Sequence, residues 1–170
     1  YNDNNGRYMM SLVTPQSTPV TIPANSVVST ALRTGVDSDV LVIWMGTNGL
    51  TVGGSFTPEQ LVDYHNMAIN YAATKKNIII GLHTGDLNSR KTQEEAMQKA
   101  FGLRYINLRK YMVEQGLVDA GLEPTQEDTE FINQGKCPPQ LLMDGTHFTT
   151  IGYTLVGKLV YQRGVSLGYW

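Results

Sequence analysis

Two nearly continuous apolar runs interrupt the polar stretches in the first half of the chain. Residues 39–45 and 77–82 are rich in Val, Ile and Leu, and polar or turn-forming residues flank each run. Short apolar runs without polar alternation are typical of strands that are buried on both faces of a parallel sheet. We therefore predict a strand at each run, and a third, short strand at residues 104–107.

Helical patterns lie between and after these runs. Thr57-Pro58-Glu59-Gln60 has the spacing of a capping box, with a proline suited to the first turn, and predicts a helix from there to about Lys75. Further helices are predicted at residues 91–101, 108–115 and 149–163. Strands that alternate with helices in this way form right-handed βαβ units. The predicted class is α/β, as a three-layer α/β/α sandwich with a mostly parallel sheet.

Outside these elements the sequence is less regular. Residues 1–36 are polar and rich in turn-forming residues, which predicts an irregular N-terminal segment followed by one domain over residues 37–170. Residues 117–143 contain several prolines and glycines and are predicted to form a long surface excursion. This excursion is expected to bring the segment that follows it to the edge of the sheet.

Composition and charge argue against several classes of function. Charged residues make up 16% of the chain, the net charge is -2, and the arginines are dispersed, so no nucleic acid partner is predicted. No apolar run approaches the ~20 residues that cross a bilayer, so no membrane partner is predicted. The single Cys137 is interpreted as structural. Neither a phosphate-binding glycine loop nor metal-ligand spacing occurs, so no cofactor and no metal are predicted.

The loop after the first predicted strand carries the first candidate chemistry. It reads Gly46-Thr47-Asn48-Gly49, and ligands in open α/β sheets gather beyond the carboxyl ends of the strands. The Asn48 amide can donate a hydrogen bond to a developing oxyanion. A plain turn, in which the asparagine bonds its own backbone, explains the same residues.

A second candidate lies near the C-terminus, where Asp144 precedes His147 by three residues. An acid that orients an imidazole makes that imidazole a general base. The alternative is structural: Asp144 closes an Asx-type turn and His147 is a surface residue near a helix N-terminus. His83 follows the second predicted strand, where it either lines the same pocket or packs in the core, and His65 is predicted to lie on the surface.

Taken together, Gly46-Thr47-Asn48 and Asp144-Gly145-Thr146-His147 resemble the third and fifth sequence blocks of the SGNH, or GDSL-type, hydrolase superfamily. The resemblance covers roughly residues 37–170 and extends through Ile80-Gly-Leu-His-Thr-Gly85 and Gly152-Tyr153. The chain looks like a bacterial or phage-borne branch of these esterases. The resemblance implies a flavodoxin-like sandwich and a serine esterase that acts on acylated carbohydrate, chiefly on O-acetyl groups, or on another small ester.

The resemblance also implies roles for individual residues. His147 would be the catalytic base, Asp144 would orient it, and Asn48 would donate to the oxyanion. Residues expected beside the substrate are Gly46, Thr47, Gly49 and His83. An extracellular or virion-associated location is favoured over the cytoplasm.

The nucleophile of the family is missing from this sequence, since the Gly-Asp-Ser block and the glycine of the second block are absent. Ser89 follows a different strand from the one that the family uses, and Ser55 leads into the capped helix. We expect the first strand and its serine on an upstream segment or a companion chain. The resulting gap in the sheet would be shielded by that polypeptide or by a homo-oligomer. The rival hypothesis is a non-catalytic carbohydrate-binding or structural module, for example in a phage tail or surface protein.

Overall fold

The computed structural model describes residues 14, 17–23, 26, 39–47, 56–72 and 74–170. The chain divides into two units, Tyr1–Ala31 and Leu32–Trp170. The described residues of the first unit are exposed and belong to no helix or strand. The candidate chemistry therefore belongs to the second unit.

The described part of the second unit contains a small parallel sheet. Its strands are β1 Val40–Ile43, β2 Lys76–Ile80 and β3 Tyr105–Ile106, hydrogen-bonded in the order β1-β2-β3. Val42 of β1 pairs with Ile78, and Ile79 pairs with Tyr105. Ile78 and Ile79 are fully buried, as the apolar run predicts for a strand covered on both faces. The predicted α/β class with a parallel sheet is confirmed, and each strand is shorter than its predicted range.

Helices follow the strands. Their bounds are α1 Pro58–Ala72, α2 Leu87–Phe101, α3 Leu108–Tyr111, α4 Leu117–Ala120, α5 Gln126–Asn133 and α6 Thr150–Ser166. A π-helical turn at Met112–Gly116 joins α3 to α4, and 3₁₀ turns lie at Gly102–Arg104 and Pro139–Leu141. Within the described residues, no helix combines the length and the apolar character that crossing a membrane requires.

Capping residues set the starts of α1 and α2. The Gln60 N–H donates to Thr57 Oγ1 at 3.2 Å, and the Thr57 N–H donates to Gln60 Oε1 at 3.0 Å, which confirms the predicted capping box. Helix α2 begins at Leu87, before the predicted start at 91, because Asp86 caps it and accepts from the Ser89 N–H at 2.8 Å. Asp86 and Ser89 form a second capping box.

Neighbouring residues of β2 contribute to different apolar clusters. Ile79 belongs to a cluster with side chains of α1 and α2, among them Leu61 and Met97. Ile80 belongs to another cluster, which includes Leu108 of α3 and Leu155 of α6. Since successive side chains of a strand point to opposite faces, the two clusters lie on opposite sides of β2. Each fully buried isoleucine in them contributes roughly 1.5–3 kcal/mol of transfer free energy.

Residues 117–143 are largely exposed or half-buried, as expected of a surface excursion, but they also have regular structure that was not predicted. They contain α4, α5 and a 3₁₀ turn, and Leu141 within them is fully buried. The carboxylate of Asp128, also fully buried, accepts the Gln140 N–H at 3.1 Å and the Gln140 side-chain amide at 2.5 Å. The Asp128 carboxylate is satisfied inside the fold by a partner twelve residues away, which the prolines and glycines of the segment did not indicate.

Predictions for two single residues had different outcomes. Cys137 is buried, as expected of a structural cysteine, and burial raises the pKa of its thiol to about 12. The surface prediction for His65 was wrong, since the side chain is fully buried. Its Nδ1–H donates to the Leu61 carbonyl at 2.7 Å, and its ring centre lies 5.9 Å from that of Phe101. His65 follows Leu61 by one helical turn, so both residues face the core.

Candidate active site

The loop after β1 approaches the core at Gly46. This glycine has a φ of 115°, which L side chains rarely adopt, and a Cβ there would lie 2.7 Å from Leu61 Cδ1. The backbone conformation therefore favours glycine at this position, and a Cβ would also displace the Leu61 methyl group. Thr47 follows as a described residue, whereas Asn48 and Gly49 lie outside the described residues, and their predicted roles stay predictions.

Asp144 and His147 form a hydrogen-bonded pair. The Asp144 Oδ1 accepts the N–H groups of Thr146 at 3.1 Å and His147 at 2.7 Å. Its Oδ2 lies 2.7 Å from His147 Nδ1. A carboxylate only accepts, so Nδ1 carries the proton and Nε2 is left as the basic nitrogen. The turn and the acid–imidazole pair were alternative interpretations of the sequence, and the same carboxylate makes both.

The hydrogen bonds within this turn shift the acid's titration. The His147 N–H, then the His147 side chain and then the Thr146 N–H lower the pKa of Asp144 to about 2. Asp144 is therefore ionised at neutral pH, which favours a proton on His147 Nδ1. The side chains are 51% exposed for Asp144 and 62% exposed for His147, so the imidazole is open to an incoming group.

The turn is connected to the core at its base. The Met143 N–H donates to the His147 carbonyl at 2.7 Å, and Leu142 and Phe148 form an antiparallel bridge. Phe148 is buried, and Thr149 caps α6 immediately afterwards. The apolar-to-helical transition seen in the sequence thus places a buried anchor directly after His147.

His83 contacts the same turn from the other side. It follows β2, is only 5% exposed, and lies 2.6 Å through Nε2 from the Thr146 carbonyl. The carbonyl can only accept, so Nε2 carries a proton and donates it. Burial lowers the pKa of His83, the bond to Thr146 opposes this, and His147 and Arg90 lower the pKa further. His83 is therefore favoured in its neutral form.

Aromatic rings surround His83. The ring of Phe148 is centred 4.2 Å from it and the ring of Trp44 5.8 Å from it. Tyr153, in the first turns of α6, is centred 6.3 Å from Trp44 and 5.7 Å from Phe148, and it is 48% exposed. Sequence analysis gave no site role to Phe148 or Tyr153. The available signal was their position directly after the Asp144–His147 turn.

An open cleft of about 550 Å³ brings the candidate residues together. Its lining consists of Trp44, Met45, Gly46, Thr47, His83, Thr146, His147 and Tyr153. The loop after β1, the loop after β2 and the turn before α6 thus share one concavity. The cleft offers a basic nitrogen, aromatic surface and a glycine-containing loop, which suits proton transfer at a bound small molecule.

The described lining of this cleft contains no serine. Ser89 instead completes the capping box of α2, where its hydroxyl donates to the Asp86 carbonyl at 3.1 Å. Ser55 lies outside the described residues. Among the residues that the structure covers, no group of three or more His, Cys, Asp or Glu side chains is placed to hold a metal ion. The position of the nucleophile stays a prediction.

No family model, no curated protein and no solved structure matches this chain.

Proposed function

We propose that the protein is a carboxylic ester hydrolase of the SGNH, or GDSL, type that removes acyl groups, chiefly O-acetyl, from carbohydrate. One observation carries the proposal: the Asp144–His147 hydrogen bond of 2.7 Å leaves the second nitrogen of His147 at the cleft that also contains Gly46 and Thr47. An oriented, exposed imidazole in a cleft is the arrangement that general-base catalysis needs.

In the proposed reaction a serine attacks the ester carbonyl while His147 Nε2 accepts the serine proton. Asp144 holds the Nδ1 proton and stabilises the imidazolium that forms. The Asn48 amide donates to the oxyanion of the tetrahedral intermediate. His147 then returns its proton to the leaving alcohol, and water hydrolyses the serine ester by the same base. The reaction uses no metal and no organic cofactor.

The serine is supplied by an upstream segment or a companion chain whose strand pairs with β1. In the described structure β1 pairs with β2 alone. Val42, in the middle of β1, is 42% exposed, although its neighbours in β2 are fully buried. A strand edge with no partner among the described residues, together with an exposed apolar side chain, favours a further strand at this position. With that strand, the helices on the two faces of β2 complete a three-layer, flavodoxin-like sandwich.

The aromatic lining of the cleft supports carbohydrate as the substrate class. Trp44 is half-buried and Tyr153 is exposed, and both line the same concavity as His147. Aromatic side chains combine an apolar face with a polar edge, which suits the alternating surface of a sugar ring. An acyl group on such a ring would lie within the cleft next to the imidazole.

The test is hydrolysis of aryl acetate by the chain joined to, or mixed with, the serine-bearing segment. We expect measurable turnover, and a roughly 10³- to 10⁶-fold loss of kcat in His147→Ala, because removal of a triad member leaves little beyond oxyanion stabilisation and binding. Lys158→Ala, on the exposed surface of α6, is the matched control and should keep full activity. Turnover that survives His147→Ala would refute the proposed base.

A non-catalytic carbohydrate-binding module is the second candidate. It is favoured by the described lining of the cleft, which contains aromatic groups but no serine. On this hypothesis acetylated oligosaccharides bind without being hydrolysed, and Trp44→Ala weakens binding while His147→Ala does not. Calorimetry of these variants, followed by chromatography of the recovered sugar, separates the two functions.

A further inference from the structure

Two buried histidines in the structure make similar hydrogen bonds but to different parts of the chain. His65 donates from Nδ1 to Leu61, within its own helix. His83 donates from Nε2 to Thr146, which lies 63 residues further along the chain. In each ring the other nitrogen is buried and has no partner among the described residues. One histidine therefore supports a helix, and the other connects the loop after β2 to the Asp144–His147 turn.

Both backbone polar groups of Thr146 are hydrogen-bonded in that turn. Its N–H is bound by Asp144 Oδ1 at 3.1 Å, and its carbonyl is bound by His83 at 2.6 Å. Gly145, directly before it, has a φ of 80° and nothing within 4 Å of a hypothetical Cβ, so the tip of the turn is not packed. The hydrogen bond from His83 thus fixes the residue that directly precedes His147.

The surroundings of His83 make this contact rigid. Its ring packs at a tilt of 34° against Phe148, the buried residue that follows His147, and near Trp44 of the loop after β1. The Nδ1 atom is shielded from solvent, so it is not positioned to bind a substrate group. The imidazole therefore lines the cleft as a contact between three segments, and neither of its nitrogens is free to bind a substrate group.

We propose that His83 is a positioning residue, which holds the Thr146 carbonyl so that Asp144 and His147 keep their paired geometry at the cleft. The relevance of this geometry to catalysis rests on the proposed esterase function. The positional role itself does not depend on any activity.

The titration of Asp144 provides a direct readout. In the wild-type chain, ¹³C NMR of the Asp144 carboxyl should give a pKa of about 2, since the N–H groups of Thr146 and His147 bind it. His83→Leu removes the hydrogen-bond donor. His83→Asn keeps an amide, but the asparagine side chain is too short to reach the Thr146 carbonyl. We expect both variants to raise the pKa of Asp144 by about one unit, toward its ordinary value. His83→Gln, whose amide nitrogen reaches the place of Nε2, should keep the low value.

His65→Asn is the matched control. It removes an equally buried imidazole and should weaken the fold without moving the pKa of Asp144. If His83→Leu does not fold, the comparison of His83→Asn with His83→Gln tests the proposal, since both side chains carry an amide and differ in length. A pKa of Asp144 that stays near 2 in His83→Asn would overturn the proposal, and so would an equal rise in His65→Asn.

Kinetics of the active assembly add a second readout. Misplacement of the base should lower kcat about 10- to 100-fold in His83→Asn with little change in KM, and His83→Gln should restore most of the rate. A raised KM with unchanged kcat would instead mean that His83 contacts substrate, and would overturn the proposal. If the wild-type assembly shows no hydrolysis, the esterase function fails, while the NMR comparison still decides the role of His83.

Discussion

Asp128 and Asp144 are both bound by neighbouring N–H groups, yet their surroundings differ. Asp128 is fully buried and accepts four hydrogen bonds, two from Thr125 and two from Gln140. Asp144 is half-exposed and accepts three, one of which comes from the imidazole of His147. All the donors to Asp128 are uncharged and cannot act on a substrate, whereas one donor to Asp144 has a second, open nitrogen.

The two carboxylates show how similar local chemistry supports either a fold or a site. Burial raises the pKa of Asp128, but the hydrogen bonds from Thr125 and Gln140 outweigh burial and the pKa lies below its ordinary value. Asp128 is thus satisfied by structure alone. Asp144 has less packing around it, and its distinguishing partner is a titratable group at a cleft. The same change of Asp to Asn at each position tests this difference.

Asp144→Asn should have the larger effect, and on activity. The asparagine amide would face His147 Nδ1 and favour the proton on Nε2, which removes the base. We expect kcat of the active assembly to fall roughly 10³- to 10⁴-fold. The unfolding midpoint in urea should move little, because the turn is exposed. A variant that keeps more than a tenth of wild-type kcat would contradict the assigned role of Asp144.

Asp128→Asn should act on stability instead. The new amide donors would face the donors of Thr125 and Gln140, leaving buried polar groups unsatisfied at a cost of about 2–4 kcal/mol. Chemical denaturation followed by circular dichroism measures this loss. The kcat per folded molecule should remain that of the wild type, and Gln126→Ala, on the exposed surface of α5, is the control. Equal stability losses in Asp128→Asn and Asp144→Asn would remove the contrast between the two carboxylates.

The pH dependence of folding stability should show the contributions of the buried histidines and of the carboxylates in different pH ranges. Burial lowers the pKa of His65 and of His83, so the unfolded chain binds their protons first. Stability from their neutral forms is complete above about pH 6.5 and declines as the pH falls below it. The lowered pKa of Asp128 acts in a second window, since its contribution is present above about pH 4 and is lost on further acidification. The pKa of Asp144 is shifted in the same direction, but its exposure to solvent makes its contribution to stability small.

Urea denaturation at pH 7.5, 5 and 3 resolves these windows. The free energy of unfolding should decrease from pH 7.5 to 5 in the wild type, and less so in His65→Leu. Asp128→Asn should flatten the decrease between pH 5 and 3 and leave the first window unchanged. A wild-type stability that rises between pH 7.5 and 5 would contradict the neutral, buried state of both histidines.

Local patterns in the sequence were sufficient for some features. The apolar run of β2 and the capping box of α1 each involve neighbours along the chain, and so does the spacing of Asp144 and His147. The burial of Asp128 depends on Gln140, and the role of His83 depends on Thr146. These partners meet only after the chain has folded, and no local period records them. The role of Asn48 lies outside the described residues and stays a prediction.

Ser89→Ala should have the smallest effect. It tests Asp86, which, like Asp144, accepts the N–H of the residue three positions further on. The Ser89 hydroxyl accepts the Asp86 N–H and donates to the Asp86 carbonyl, both at 3.1 Å, while Asp86 Oδ1 binds the Ser89 N–H. Loss of the hydroxyl leaves that last bond intact, so we expect a stability decrease of about 0.5 kcal/mol.

Hydrolysis of aryl acetate by the active assembly should be unchanged in Ser89→Ala, because this hydroxyl completes a helix cap and does not line the cleft with His147. Asp86→Ala, which removes the carboxylate of the same cap, is the control and should cost about 1 kcal/mol of stability. If Ser89→Ala abolished turnover while Asp86→Ala did not, Ser89 would be the nucleophile. The nucleophile would then belong to this chain, and catalysis would not require a serine-bearing strand beside β1.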